Sequence, residues 1–228
     1  MKILALETSS ELCSVAVLLD GEVRTREVRD RLHSTSVLPM FDELLAEAQL
    51  KITDMDAIAF GRGPGMFTGL RIGTGIAQGI AFAAGLPVIP VSSLQALAAG
   101  VDAEAVLALQ DARMNEIYCC AYERRQDENN RHYWYSVMDE QLLAADAIRL
   151  PSSPTSWVAA GSACNVFEEQ LRQNLGDRLV RCDHEALPRA SAVAQLAVPI
   201  LERGDAVAPE AALPVYLRND VAKKKGEA

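Results

Sequence analysis

The sequence predicts an α/β protein of two similar lobes, each with the element order βββαβαβα. Apolar runs of strand length alternate with amphipathic helical patterns along the chain, which is typical of an α/β fold. The stretch LALETSS at residues 4–10 is echoed by LALQDAR at residues 107–113, and each is followed by another strand-like run. The chain has 228 residues, of which 50% are hydrophobic, so it can bury one large core or two smaller ones.

The first lobe is predicted to span residues 1–103 and to open with three strands. Asp20-Gly21 between two strand-like runs is the signal of a tight hairpin turn. A helix should follow, because Ser34 and Ser36 can cap it, Pro39 falls in its first turn and apolar residues recur on one face. The other elements are strands near 3–6, 13–19, 22–29, 55–60 and 87–91, a helix ending near 84 and a helix from 93.

The second lobe is predicted to span residues 104–228, with a final segment able to pack back on the first lobe. After its opening strand, the predicted elements are strands near 115–123 and 132–138, a helix near 139–147, a strand at 156–160, a helix at 163–175, a strand at 179–183 and a helix at 190–203. The residues DENN at 127–130 indicate a hairpin turn. In a two-lobed protein of this kind, a site is expected in the cleft between the lobes.

Composition excludes several classes of protein. The formal net charge of −9 opposes binding of a phosphate backbone by this chain alone, and the basic run Lys223–Lys225 is expected to be solvated. The most apolar segment, residues 79–91, is interrupted by Pro87 and Pro90, so we expect neither a membrane-spanning nor a secreted protein. The 5 cysteines show no CxxC spacing and fit reduced thiols, so we expect a cytoplasmic protein.

The glycine-rich stretch GRGPGMFTGLRIGTGIAQG at residues 61–79 has the composition of a phosphate-binding loop without its pattern. A Walker loop needs a lysine, and none occurs between Lys51 and Lys223. A dinucleotide fingerprint needs GxGxxG at a strand-to-helix turn, whereas here the first three glycines alternate and the later ones lie in a helical stretch. We interpret the first three as a turn that leaves room for an anion at the helix start, and the later ones as packing residues.

The helical part of this stretch divides into two sets of residues at 3.6 residues per turn. Small residues and isoleucines interpreted as packing positions together cover most of the circumference: Gly69, Ile72, Gly73, Gly75, Ile76, Ala77, Gly79, Ile80, Ala81 and Ala83. The remaining arc contains Arg71, Thr74, Gln78 and Phe82. That arc is either a solvated face or a contact face for a partner protein.

Few residues carry recognisable chemistry, and no catalytic residue is predicted. None of the 3 histidines has a second histidine or a cysteine three or four residues further on, so no metal site is expected. Glu7, Thr8 and Ser9 follow the first strand, where two-lobed ATPases present a carboxylate to metal and hydroxyls to phosphate. These three residues are therefore the candidates for contact with a nucleotide, although a polar hairpin turn explains them equally well.

Four motifs together resemble the bacterial TsaB (YeaZ) family: LALETSS, HS before the helix with Leu38-Pro39, GRGPGMFTGLRIG, and PVYLR at residues 214–218. The resemblance covers essentially the whole chain. It implies the two-lobed, actin-like ATPase (ASKHA) fold and a role in forming threonylcarbamoyladenosine (t6A) at adenosine 37 of tRNA. In that pathway the paralogue TsaD transfers threonylcarbamoyl from threonylcarbamoyl-AMP, and TsaB and the ATPase TsaE support it.

Two departures from TsaD imply that this chain is a non-catalytic subunit. TsaD has a segment VNHxxGH whose histidines bind metal, whereas this sequence has VSSLQAL, which places Ser93 and Leu97 at the two ligand positions. The ETSCDET of TsaD becomes ETSSELC, which keeps Glu7, Thr8 and Ser9 but loses the acidic pair that follows. The resemblance therefore implies no metal and no resident cofactor, and it leaves nucleotide binding in the cleft open.

The resemblance also implies how the chain associates. Family members pair with themselves or with TsaD through two helices, here near 34–50 and 67–84, and TsaE and tRNA are expected to join through the complex. The predicted interface contains Val37, Met40, Leu44, Arg71, Thr74, Gln78 and Phe82. Because homodimer and heterodimer would use one face, they should exclude each other. The alternative functions are a kinase of the same fold and a peptidase. The sequence shows neither the complete phosphate site that a kinase needs nor the nucleophile and base pair that a peptidase needs.

Overall fold

The computed structural model describes residues 1–29 and 33–218, with the backbone alone at His33. The predicted solvated run Lys223–Lys225 lies outside the described residues. The described chain folds into two mixed β-sheets with helices packed on their faces. Within the described ranges, no helix is long and apolar enough to cross a membrane.

The first sheet has the strand order β3-β2-β1-β4-β5. Its strands are β1 (Lys2–Glu7), β2 (Cys13–Leu19), β3 (Glu22–Val28), β4 (Ala57–Gly61) and β5 (Val88–Val91). The first three strands are antiparallel neighbours, whereas β4 pairs parallel with β1 and β5 pairs parallel with β4. The turn between β2 and β3 has φ angles of 48° at Asp20 and 95° at Gly21, so the predicted tight turn is confirmed.

Helices cover both faces of the first sheet. The helices α1 (His33–Ala48) and α2 (Phe67–Ala84) pack on the face that carries Leu4 and Leu6 of β1. The opposite face carries Ile3, and α5 (Ala190–Glu202) from the second half of the chain packs there. Because both faces of β1 are buried, the strand is apolar nearly throughout rather than alternating with polar residues.

The second sheet has the order β11-β10-β6-β7-β8, and a short strand β9 also pairs with β7. Its strands are β6 (Ala105–Asp111), β7 (Ile117–Gln126), β8 (His132–Ser136), β9 (Gln141–Leu143), β10 (Trp157–Ala160) and β11 (Leu179–Asp183). On one face α4 (Cys164–Leu175) packs around Trp157, and on the other α3 (Ser93–Ala99) packs against Val106. Each sheet thus takes a helix from the other half of the chain, and the division at residues 103 and 104 stays a prediction.

One predicted element of the second half is wrong. Residues 139–147 were expected to form a helix, but the chain there forms β9, which pairs antiparallel with Ile117–Cys119, and a single 3-10 turn at Ala145–Ala147. Pairing with a strand distant in sequence outweighs the local helical pattern at this point. The predicted turn at 127–130 is confirmed, since the Asp127 side chain accepts the N–H groups of Asn129 and Arg131 at 2.9 and 2.8 Å.

Candidate partner interface and interlobe cleft

Glu7, at the end of β1, is enclosed by its own chain. Its side chain is fully buried, and its two oxygens accept the Ser9 N–H at 2.6 Å and the Ser93 hydroxyl at 2.8 Å. A Cβ added at Gly61 would lie 1.9 Å from Glu7 Oε2, so any larger residue at that position of β4 would displace the Glu7 carboxylate. Burial raises the pKa of the Glu7 carboxyl above its ordinary value. Glu7 therefore serves as an internal hydrogen-bond acceptor and is not presented to the cleft.

Thr8 joins the end of β1 to α2. Its hydroxyl donates to the Gly69 carbonyl at 2.8 Å, and both residues are buried. A Cβ at Gly69 would lie 1.9 Å from the Thr8 carbonyl oxygen, and a Cβ at Gly73 would lie 2.4 Å from Thr8 Oγ1. The predicted packing role of these two glycines is confirmed, because a larger residue would push α2 away from β1.

The fold family implies a nucleotide with a metal ion, and Glu7 and Thr8 do not fit that group. A metal-bound triphosphate needs a carboxylate and hydroxyls with free oxygens directed at it. Here both Glu7 oxygens and the Thr8 hydroxyl are engaged inside the protein. Of the three predicted candidates, Ser9 alone lines the interlobe cavity.

A cavity of about 620 Å³ lies between the two lobes. Its walls come from Ser9 after β1, the first turn of α2, residues 110–113 at the end of β6, and Val215, Tyr216 and Arg218 near the end of the described chain. Ser9 is 1% exposed, and its carbonyl accepts the Met66 N–H at 2.7 Å. The cavity is thus placed where the carboxyl ends of β1 and β6 face each other.

The segment 212–218 ties the two lobes together across this cavity. The Val215 N–H donates to the Arg62 carbonyl of the first lobe at 2.8 Å. The Arg218 guanidinium lies 2.6 Å from Glu116 Oε2 and 3.0 Å from the Ala112 carbonyl oxygen, both in the second lobe. We call this segment the interlobe strap.

Arg71, one of the predicted interface residues, contacts aromatic side chains next to the interlobe strap. Its guanidinium carbon lies 3.9 Å from the centre of the Phe67 ring, and that ring lies 5.4 Å from the Tyr216 ring. Arg71 is exposed, so it remains available at the edge of a contact surface while its position is fixed by the two aromatic rings.

Four of the predicted interface residues are buried within the chain, and a fifth, Gln78, is half-buried. Val37, Met40 and Leu44 are buried in the core between α1 and the first sheet, at 0%, 9% and 0% exposure. Thr74 is buried, and the Gln78 amide donates to the Ala212 carbonyl at 3.0 Å. The four buried side chains pack inside the chain, whereas Gln78 keeps part of its side chain at the surface.

The outward side of the two helices is a different set of residues, which we call the α1/α2 outer face. Its members are Leu38, Asp42 and Ala46 of α1 and Thr68, Ile72, Gly75, Gly79, Phe82 and Ala83 of α2. Phe82 is 81% exposed and is the only predicted interface residue besides Arg71 that is fully outward. A Cβ added at Gly75 or Gly79 would meet no atom within 4 Å, so these two glycines, interpreted from the sequence as packing residues, pack against nothing in the described chain.

The α2 part of the outer face carries mostly small or apolar residues. Glycine in a helix interior costs about 1 kcal/mol relative to alanine, and nothing in the described chain uses the absence of a side chain at Gly75 and Gly79. Two glycines one turn apart beside an exposed phenylalanine allow another backbone to approach closely. The spacing of Gly75, Gly79 and Ala83 in the sequence already places these small residues on one side of the helix. The helical wheel alone does not show whether that side faces the sheet or the outside.

The duplicated sheets around a cleft, with strands β1 to β3 and β6 to β8 repeating one antiparallel pattern, define a two-lobed protein of the actin-like class. Comparison with known proteins agrees with this class. A family model described as TsaD, tRNA N6-adenosine threonylcarbamoyltransferase, matches residues 26–225. The solved structure of YeaZ from Pseudomonas aeruginosa matches with a TM-score of 0.86 and 40% identity, covering 95% of this chain and 99% of that one.

Full-length relatives narrow the assignment. A protein named tRNA threonylcarbamoyladenosine biosynthesis protein TsaB, from Escherichia coli (strain K12), is 41% identical and covers 99% of this chain and 98% of its own length. A protein of the same name from Haemophilus influenzae is 40% identical, covering 99% of this chain and 97% of its own length. The chain belongs to the TsaB (YeaZ) family, within the wider group that the TsaD family model describes.

Proposed function

We propose that this chain acts in the synthesis of t6A on tRNA as a non-catalytic subunit, which binds TsaD through the α1/α2 outer face and activates it. The observation that carries the proposal is the pair of glycines at 75 and 79, which are exposed to open space beside Phe82. The relatives are named for t6A biosynthesis, which supports the pathway. We propose a cytoplasmic location, because the substrate tRNA is found there.

The non-catalytic role is supported by the environment of Ser93 and Leu97. Ser93 is buried and donates its hydroxyl to Glu7, and Leu97 is 0% exposed within the core of α3 and the second sheet. At the positions where TsaD has metal-binding histidines, this chain therefore has an internal hydrogen bond and a core side chain. Among the described residues, no group of three histidine, cysteine, aspartate or glutamate side chains is arranged to hold a metal ion.

The same face also accounts for self-association. An isologous dimer places one patch against its copy, and a strip of small residues lets the two helix backbones approach closely. We propose that the homodimer and the heterodimer with TsaD exclude each other because both cover Gly75 and Gly79. TsaE would join in a ternary complex, and tRNA would bind through the complex, since the net charge of −9 gives this chain little attraction for RNA. A stable species of two copies plus TsaD joined through the same helices would contradict this.

The test measures t6A by mass spectrometry in tRNA incubated with threonylcarbamoyl-AMP, TsaD and TsaE. Four reactions contain the unaltered chain, no chain, the chain without TsaD, or the variant Phe82→Asp. We expect t6A only when TsaD and the unaltered chain are both present, and a strong loss with Phe82→Asp. Modification by the chain alone would disprove the non-catalytic role.

A matched control separates the interface from general damage. Val166 of α4 is 55% exposed, and Val166→Asp places the same charge on an exposed apolar position of another helix. We expect Val166→Asp to retain TsaD binding and t6A formation. If both variants behave like the unaltered chain, Phe82 is not in the interface.

A further inference from the structure

One ion pair joins the two lobes at the carboxyl end of β4. Arg62 directly follows β4, and its Nη1 lies 3.1 Å from Oε2 of Glu140, which lies just before β9 of the second sheet. The two side chains are 26% and 14% exposed, so water screens this ion pair less than it screens a pair at the surface. Separation of the lobes would leave two largely buried charges without their partners, so the contact favours the closed arrangement.

The Glu140 carboxylate is also held from its other side. Its Oε1 accepts the hydroxyl of Ser92, the residue that caps the N-terminus of α3. Ser92 Oγ accepts the Gln95 N–H at 3.1 Å and lies 3.2 Å from Tyr122 OH. Burial raises the pKa of Tyr122 well above its ordinary value, so its phenol stays protonated and can donate to Ser92. These hydrogen bonds hold the Glu140 carboxylate in position for Arg62.

The backbone of Arg62 makes a second connection, to the interlobe strap. Its N–H donates to the Val91 carbonyl at 2.8 Å, which fixes the residue to the end of β5, and its carbonyl accepts the Val215 N–H at 2.8 Å. Further along the strap, the Arg218 guanidinium lies 2.6 Å from Glu116 Oε2 of the second lobe. Arg62 therefore takes part in two interlobe connections, one through its side chain and one through its backbone.

The central contacts between the lobes are of a different kind. Leu94 and Leu97 of α3 pack on the second sheet, and Ala96 of α3 packs in the cluster that α5 forms with the first sheet. These contacts are apolar, whereas the cavity of about 620 Å³ separates the lobes beside Val215, the strap residue bonded to Arg62. The two helices thus lie where a hinge would lie, and the polar contacts of Arg62 lie on the side that opens.

We propose that Arg62 and Glu140 form a clasp that holds the lobes closed, and that opening of the clasp releases the interlobe strap. The strap is bonded to both lobes, and the residues from Val215 to Arg218 span about 10 Å at most, so separation of the lobes breaks one anchor. The hydrogen bond from Val215 is neutral, whereas Arg218 contacts Glu116 through opposite charges, so the bond at Val215 breaks first. The clasp does not depend on the function proposed above.

The test measures hydrogen–deuterium exchange of the full chain by mass spectrometry, at a concentration where the chain is monomeric. Glu140→Gln removes the charge of the clasp and keeps the shape of the side chain. Glu104→Gln is the matched control, because Glu104 Oε1 lies 3.7 Å from Arg124 Nη1 within the second lobe. We expect exchange in the peptide containing Val215 to be at least about tenfold faster in Glu140→Gln, with a larger radius of gyration by X-ray scattering. Glu104→Gln should show neither change.

Arg62→Met tests the other side of the clasp and decides the proposal if Glu140→Gln does not fold. The double variant Arg62→Met/Glu140→Gln should exchange at Val215 no faster than the faster single variant, because both changes remove the same contact. Equal exchange at Val215 in the single variants and the unaltered chain would overturn the clasp, and so would independent, multiplied effects in the double variant. Equal acceleration in α4, on the far face of the second sheet, would show a general loss of stability and would also overturn it.

Discussion

Replacing Gly75 and Gly79 with glutamine should stabilise the isolated chain and weaken its association. Both positions lie within α2 and face open space, so the new side chains meet no atom of the chain. Each exposed helical glycine costs about 1 kcal/mol relative to a good helix former. The double variant should therefore gain about 2 kcal/mol, which corresponds to a rise of about 4–8 °C in melting temperature for a chain of this size.

The same change should obstruct a partner that packs against this face. Overfilling a well-packed contact costs about 1–3 kcal/mol per residue, so two glutamines should cost about 2–6 kcal/mol of binding free energy. Since 1.4 kcal/mol is tenfold, affinity for TsaD should fall by at least about 25-fold. The double variant Gly75→Ala/Gly79→Ala is the matched control, because it gives a similar gain in helix stability and adds only methyl groups.

The assay combines circular dichroism with calorimetric titration of TsaD. Melting is recorded at a concentration where the chain is monomeric, because dimer formation itself adds stability. A glutamine variant that binds TsaD as tightly as the unaltered chain would refute the assignment of the α1/α2 outer face. A lower melting temperature would show that Gly75 or Gly79 contacts another part of the chain after all.

Two further substitutions test the interior of the site. Gly69→Ala should lower the free energy of unfolding by about 1–3 kcal/mol, because the new Cβ would lie 1.9 Å from the Thr8 carbonyl oxygen. Gly75→Ala should have the opposite sign. Urea unfolding of the two variants measures both effects, and equal effects would contradict the packing account. Because the pKa of Glu7 is raised in the folded chain, the folded chain holds the carboxyl proton more tightly than the unfolded chain does. The contribution of Glu7 to stability therefore falls as the pH rises from 4.5, the ordinary pKa of the group, through its pKa in the folded chain. Glu7→Gln should remove that dependence, so its melting temperature should gain on the unaltered chain as pH rises from 4.5 to 7, and a constant difference would contradict the account.

The strand and helix order was predictable where local patterns decide the structure. Asp20-Gly21 fixes a hairpin through its own φ angles, and the apolar spacing of α1 and α2 is independent of the rest of the fold. The helix expected at 139–147 failed because β9 is held by β7, a partner about 25 residues away that no local pattern reveals.

The interface residues were harder to predict because a helical wheel gives directions without saying where the sheet lies. Val37 and Leu44 are apolar and were expected to meet a partner, but the first sheet already covers them. Gln78 is polar and was expected to be outward, yet it faces the strap because the Ala212 carbonyl, 134 residues later, accepts its amide. Long-range contacts of this kind leave no signal near the residue in the sequence.

The two glycine pairs of α2 differ in whether a contact within the chain requires the absence of a side chain. Gly69 and Gly73 are required by Thr8, since any side chain there would collide with it. Gly75 and Gly79 meet nothing within the described chain, so their cost in helix stability is not offset by any contact that the chain makes alone. A partner backbone packed on that strip would offset this cost, and the Glu7 carboxylate accepts its hydrogen bonds from within the chain. Both observations favour a chain that works through its surface on another protein.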